Sequence, residues 1–189
     1  MRIIAGFLGG RLIESPHNNK THPMSEKMRG ALFNSLGDIN ALTFLDAFAG
    51  TGACGFEAIS RGAKQTTLLE VNPDSFKTIV KNAEQLDIIN AVELQKVNCA
   101  RWSSNNKSKL YDVIIADPPY NLQDINLELV FKLSLHLKKG GIFVVSAPPS
   151  QHSTVNLRAS KYKNLHLISH KTYADGGLYY YRNNIKLKI

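Results

Sequence analysis

Leu45-Asp46-Ala47-Phe48-Ala49-Gly50-Thr51-Gly52-Ala53-Cys54-Gly55 reads as the end of a strand, a glycine-rich turn and the start of a helix. Residues 42–48 form a short apolar run, and residues 53–61 suit a helix stopped by Gly62. Downstream, residues 65–71 read as the next strand. Asn72-Pro73 then supplies an N-cap and a first-turn proline for a helix to about residue 86, apolar at Phe76, Ile79, Val80 and Ala83. Further strands are expected at 91–97, 111–116 and, after a helix at 127–137 and a Gly140-Gly141 turn, at 142–146. Residues 165–172 and 178–182 form a terminal antiparallel hairpin, and residues 103–109 a polar loop. Upstream, residues 2–5 and 11–13 read as two strands joined by a glycine-rich turn. A helix follows from the Ser25 cap to Gly37, with Met28, Leu32, Phe33 and Leu36 on one face. Alternating strands and helices require an α/β fold: a Rossmann-like, mostly parallel sheet with helices on both faces.

The length, 189 residues, suits a single domain, with residues 1–40 as an N-terminal extension and 41–189 as the core. The net charge of +8 is uneven. Residues 1–35 carry five basic against two acidic side chains, and residues 150–189 seven against one. The stretch between is nearly balanced. Basic ends around a neutral core fit a polyanion gripped by its flanks. Two cysteines, Cys54 and Cys99, give neither a disulfide framework nor metal-ligand spacing, so no metal is expected. With no secretory or membrane-spanning stretch in the sequence, a cytoplasmic protein is expected.

Gly50, Gly52 and Gly55 form a G-x-G-x-x-G, and Glu70 ends the next strand twenty residues after Gly50. Missing side chains let backbone approach a ligand, and an acid at that strand end can take both hydroxyls of a ribose. A nucleoside cofactor is therefore expected. Asp46, before the turn, would repel a dinucleotide's pyrophosphate but could help to hold an ammonium. Together with Phe48-Ala49-Gly50-Thr51-Gly52 it favours S-adenosylmethionine.

The run Tyr111-Asp112-Val113-Ile114-Ile115-Ala116-Asp117-Pro118-Pro119-Tyr120 opens as a strand buried on both faces and stops on a carboxylate, two prolines and a ring. Strand tips are where open α/β sheets bind ligands. An exocyclic amine on a base is a poor nucleophile, and methylating it needs acceptors that draw its protons into place. Asp117 and the Pro118 carbonyl can each accept one N–H, and Tyr120 can stack on the base, worth ~1–3 kcal/mol. These four residues would equally serve DNA adenine-N6, cytosine-N4 or a glutamine side chain. The glycine spacing alone would serve a nicotinamide-dependent oxidoreductase, and basic ends alone a non-catalytic RNA-binding factor.

The glycine turn, Glu70 and Asp117-Pro118-Pro119-Tyr120 resemble the class I S-adenosylmethionine-dependent amino-methyltransferases. Met1-Arg2-Ile3-Ile4-Ala5-Gly6, Gly10-Arg11 and the run from Thr21-His22-Pro23-Met24-Ser25-Glu26-Lys27-Met28-Arg29 to Asn34 are similar to the opening of the RsmD-type enzymes. These methylate the N2 amine of a guanine in bacterial small-subunit (16S) ribosomal RNA. The resemblance implies a seven-stranded sheet with an antiparallel C-terminal strand, preceded by an N-terminal hairpin and helix. It places the donor over Gly50, Thr51 and Gly52, its ribose on Glu70 beside Val71, and its adenine near Asn98 and Cys99. Guanine would enter at Asp117–Tyr120. Arg2, Arg11, Lys27 and Arg29 would contact RNA, in an assembling ribosomal particle, and a monomer is expected. Asn98 stands where the family commonly has Asp, His22 where it often has Arg, and Met24 where a small hydroxyl residue is frequent.

Overall fold

The structure, a computed structural model, describes residues 1–16, 24–119, 127–174 and 176–184. The chain divides into two compact units, residues 1–98 and 99–189.

The first unit begins with an N-terminal arm and helix α1 (Glu26–Leu36), where the Ser25 hydroxyl accepts from the Met28 N–H and Gly37 ends the helix. Strands β1 (Thr43–Asp46), β2 (Gln65–Glu70) and β3 (Val92–Lys96) follow, with helices α2 (Ala53–Ser60) and α3 (Pro73–Gln85) as crossovers. β1 pairs with β2 and β2 with β3, both in parallel. Asn72 caps α3 by accepting from the N–H groups of Asp74 and Ser75. Phe44, Leu45, Phe56, Leu68, Leu69 and Ile79 form the core, each almost wholly removed from water.

The second unit contains α4 (Cys99–Asn105), β4 (Tyr111–Ala116), α5 (Leu127–Lys132), β5 (Leu137–Ala147), α6 (His152–Ala159), β6 (Leu165–Tyr173) and β7 (Gly176–Asn183). β4 and β5 are parallel, and β7 is antiparallel to both β5 and β6. Across the seven-stranded sheet the order is β3-β2-β1-β4-β5-β7-β6. The sheet is mostly parallel with an antiparallel C-terminal strand, as the sequence led us to expect.

Four local features differ from that expectation. The N-terminal arm pairs through a single antiparallel bridge, Arg2 with Leu12, rather than two strands. Hydrogen bonds from Ile3 N–H to Arg11 C=O and from Ile13 N–H to Met1 C=O still close it as a hairpin. α4 covers part of the expected polar loop, anchored by Trp102, whose ring packs 4.8 Å from His136 and 6.0 Å from Tyr111. α6 also lies in a stretch with no expected element. Finally, β5 begins at Leu137, and its pairing with β4 skips from Leu137 to Ile142, so Gly140-Gly141 form a bulge inside a strand. A Cβ at Gly141 would sit 2.9 Å from the Asp112 carbonyl, which is why this residue is glycine. None of the helices among the described residues is long and apolar enough to cross a membrane.

Candidate active site

In the first unit the glycine turn leaves β1 at its C-terminal end. Gly50 and Gly52 have φ of +55° and +81°, values that side chains resist. The three glycines differ in what surrounds them. A Cβ at Gly52 would meet the Phe56 ring at 2.5 Å, and one at Gly55 would meet Leu68 of β2 at 2.8 Å. One at Gly50 would meet no atom within 4 Å. Gly52 and Gly55 are thus fixed by packing, while Gly50 keeps its side of the turn accessible to a ligand.

Two carboxylates hold this turn. Asp46, the last residue of β1, is buried, and its Oδ2 accepts from the Gly55 N–H at 3.1 Å. Glu70, the last residue of β2, is half-buried, and accepts from the Gly50 N–H at 2.8 Å through Oε2 and the Asn72 N–H at 2.7 Å through Oε1. A carboxylate has about four lone-pair positions, so Glu70 retains acceptor capacity beyond these two bonds. Val71 follows with 63% of its surface exposed, an apolar face beside that carboxylate. Phe48 is half-buried, and Ala49 and Thr51 are buried. The Ala49 N–H donates to the Leu69 carbonyl, tying the turn to β2. Asn98 is exposed, while Cys99 is buried and desolvation pushes its thiol above the ordinary range. That suits a packed residue rather than a nucleophile.

In the second unit β4 ends at Ala116, so Asp117 stands at the strand's C-terminal tip, half-buried. Pro118 is buried and Pro119 exposed. The prolines stop the ladder and fix the chain direction after the carboxylate. Tyr120 and His22 lie outside the described residues.

Among the four cations expected at RNA, Lys27 and Arg11 are exposed and form no ion pair among the described residues. Arg2 pairs with Glu26 at 2.9 Å, a bond that lowers the Glu26 pKa. Arg11 donates to the Gln85 carbonyl at 2.7 Å. Arg29 requires a correction. It is fully buried, donates to the carbonyls of Arg2 (2.5 Å) and Met24 (3.4 Å), and lies 3.7 Å from Glu57. A guanidinium enclosed in this way braces the arm and does not reach a phosphate.

Three residues not singled out in the sequence, Glu57, Ser60 and Asn82, join the arm to this site. Glu57, buried on α2, accepts from the N–H groups of Ile4 (2.7 Å) and Ala5 (3.1 Å) and from Arg61 Nε (2.7 Å). Ser60, one turn later, accepts from the Leu8 N–H and donates to the Ala5 carbonyl. Asn82, buried on α3, accepts from the Glu14 N–H and donates to the Glu14 carbonyl, with a longer contact to the Thr51 carbonyl at 3.4 Å. The available signal was a lone Glu within the apolar run of α2.

A family profile described as "Conserved hypothetical protein 95" matches residues 1–182. "Ribosomal RNA small subunit methyltransferase D" of Buchnera aphidicola is 41% identical over 120 residues, covering 63% of this chain and 62% of that protein. The protein of the same name from Haemophilus influenzae is 33% identical over 129 residues, covering 64% of each. The chain thus spans less than two thirds of these curated relatives. The solved structure of yhhF from Escherichia coli superposes with a TM-score of 0.82 at 25% identity, covering 98% of this chain and 99% of that one. The chain therefore belongs to the "Conserved hypothetical protein 95" family, and it is similar to proteins named ribosomal RNA small subunit methyltransferase D.

Proposed function

We propose that the chain transfers the methyl group of S-adenosylmethionine to the exocyclic N2 amine of a guanine in bacterial small-subunit ribosomal RNA. The observation that carries this reading is a carboxylate at the C-terminal end of each of three strands: in the first unit Asp46 on β1 and Glu70 on the parallel β2, and in the second unit Asp117 directly after β4. We read residues 1–189 as one catalytic domain, with the arm and α1 on the RNA side, the first unit supplying the donor's groups and the second the acceptor's.

S-adenosylmethionine supplies an electrophilic methyl on a sulfonium. The accessible side of Gly50 admits the donor to the backbone, and the remaining acceptor positions of Glu70 suit ribose hydroxyls. Val71 offers an apolar face to the adenine, with Asn98 and Cys99 beside it in our assignment. The buried Asp46 places negative charge behind the turn, which suits an ammonium and opposes a pyrophosphate. At the other half, Asp117 and the Pro118 carbonyl would each accept a hydrogen bond from one amine N–H, Tyr120 would stack on the base, and the amine proton displaced as the N–C bond forms would leave to Asp117 or to water. Orienting the lone pair toward the methyl makes a bimolecular step effectively unimolecular. The names of the relatives support ribosomal RNA as the substrate. Lys27, with Arg2 and Arg11 exchanging their present partners, would grip phosphates, since such exposed pairs are worth only ~0–1 kcal/mol.

The test is Asp117→Ala. We expect calorimetry to show S-adenosylhomocysteine, but not NAD, binding both wild type and variant within about threefold, with methyl transfer to small-subunit particles lost in the variant. NAD binding, or loss of S-adenosylhomocysteine binding in the variant, would refute the assignment.

A further inference from the structure

The second unit has a cavity that the proposed chemistry does not use. It measures about 240 Å³ and is lined by Pro149, His152, His170, Thr172, Gly177 and Tyr179. Three of these rings form one cluster. His170 stacks on Tyr179 with centroids 4.3 Å apart and planes 17° from parallel, and His152 lies 4.8 Å from His170 and 5.5 Å from Tyr179. Tyr179 is buried beneath, while His170 and His152 are exposed.

The geometry separates a stacking platform from a metal site. Both ring nitrogens of His152 are engaged: Nδ1 lies 3.0 Å from the Tyr179 hydroxyl, and Nε2 lies 3.1 Å from Asn156 Nδ2. With the Asn156 amide facing Nε2, Nδ1–H donates to Tyr179. The imidazole is thus held in place and is not free to ligate. Desolvation, then the nearby His152, lowers the His170 pKa below the ordinary imidazole value, which favours the uncharged ring. An exposed ring stacked on a buried one presents a π-face to solvent. Gly177 makes room for it: a Cβ there would sit 3.1 Å from His170 Nε2 and 3.3 Å from the Tyr179 ring.

Register places this platform at the same sheet end as Asp117. Ala116 of β4 lies beside Val145 of β5, and Ala147 of β5 beside Gly177 of β7. Gly177 is therefore two strands from β4, ~10 Å at the usual spacing. The surrounding segment is cationic, with seven basic residues against one acidic between residues 150 and 189, which favours a polyanion.

We propose that the His170–Tyr179 platform is a stacking subsite for an unpaired base of the RNA strand that carries the target guanine. The inference rests on reading the chain as an RNA methyltransferase and adds a second point of contact on the same strand. Stacking of a base on an aromatic side chain is sequence-tolerant and worth ~1–3 kcal/mol, or about 5- to 150-fold in affinity.

The test compares wild type, His170→Ala and His170→Phe as full chains, with small-subunit particles from cells lacking the modification as the probe. Equilibrium binding and methylation kinetics are measured, with S-adenosylhomocysteine calorimetry as a control for folding. We expect Ala to weaken particle binding and raise KM about tenfold, with kcat and S-adenosylhomocysteine affinity unchanged, and Phe to restore wild-type binding. Ultraviolet crosslinking should join RNA to the peptide holding His170 in wild type. Unchanged particle binding in the Ala variant, Phe as weak as Ala, or a crosslink from that peptide to ribosomal protein instead of RNA would each overturn the subsite. If wild type binds particles through His170 but forms no N2-methylguanine, the functional reading fails and the subsite stands.

Discussion

Glu70→Gln isolates what a single carboxylate does for the glycine turn and for the donor we propose it binds. Glu70 accepts from the Gly50 N–H at 2.8 Å and from the Asn72 N–H at 2.7 Å, one bond on each oxygen. Glutamine has the same shape, but one oxygen becomes an NH2 that faces a backbone donor. One bond is lost, the other loses its charge, and an N–H is left without its acceptor. A hydrogen bond to a charged group is worth ~1.5–3 kcal/mol. Because Glu70 is only half-buried, water can replace part of that, and we expect ~1–2 kcal/mol of lost stability. For a chain of this size that is a Tm decrease of ~2–8 °C. Donor affinity should fall further, because the remaining acceptor positions are those assigned to the ribose. Loss of a charge-assisted bond there corresponds to ~10- to 100-fold in Kd. Thermal unfolding without ligand and calorimetry with S-adenosylhomocysteine separate the two effects. A Tm loss of this size with affinity within twofold of wild type would refute the reasoning, showing Glu70 to be a turn clamp alone.

Two further predictions concern the fold that carries the site. Glu57→Gln removes the charge opposite the buried Arg29 and Arg61, which should cost ~3–5 kcal/mol, and hydrogen exchange should show the Ile4 and Ala5 amides losing protection. Retained protection would contradict the role of Glu57 in holding the arm. Tyr181 is buried, and its hydroxyl has no hydrogen-bond partner among the described residues. Desolvation, then Tyr179, raises its pKa far above the ordinary value of 10.0. The fold keeps this phenol neutral while the unfolded chain ionises near pH 10. Its contribution is therefore fully present below pH 10 and declines as pH rises beyond it. Tyr181→Phe should be neutral or up to ~1 kcal/mol more stable at pH 7, with a shallower alkaline decline by denaturant titration; a steeper decline would refute the assignment.

The glycine turn was legible because its constraints are local. Gly50 and Gly52 need positive φ, and Asp46 and Glu70 close their strands in sequence as they do in space. Asp117 was legible for a similar reason, since two prolines must end a strand. The features that escaped depend on distant partners. Arg29 looked like a surface cation because Glu57, twenty-eight residues later, is invisible as its neighbour until α2 packs against the arm. α4 looked like a polar loop because one buried ring, Trp102, fixes it against β4 and the segment before β5. α6 buries only Val155 and Ala159, too little to leave a periodic pattern. The His170–Tyr179 stack is assembled by the pairing of β6 with β7, which sets those two residues side by side.

The central claim is that Asp117 presents a guanine amine to the methyl of S-adenosylmethionine. Isotope-labelled donor, the full chain and small-subunit particles lacking the modification test it most directly, with the RNA digested to nucleosides and resolved by mass spectrometry. The account predicts one labelled product, N2-methylguanosine, absent with Asp117→Ala. Label in any other nucleoside or in ribosomal protein, or no transfer at all, would contradict it.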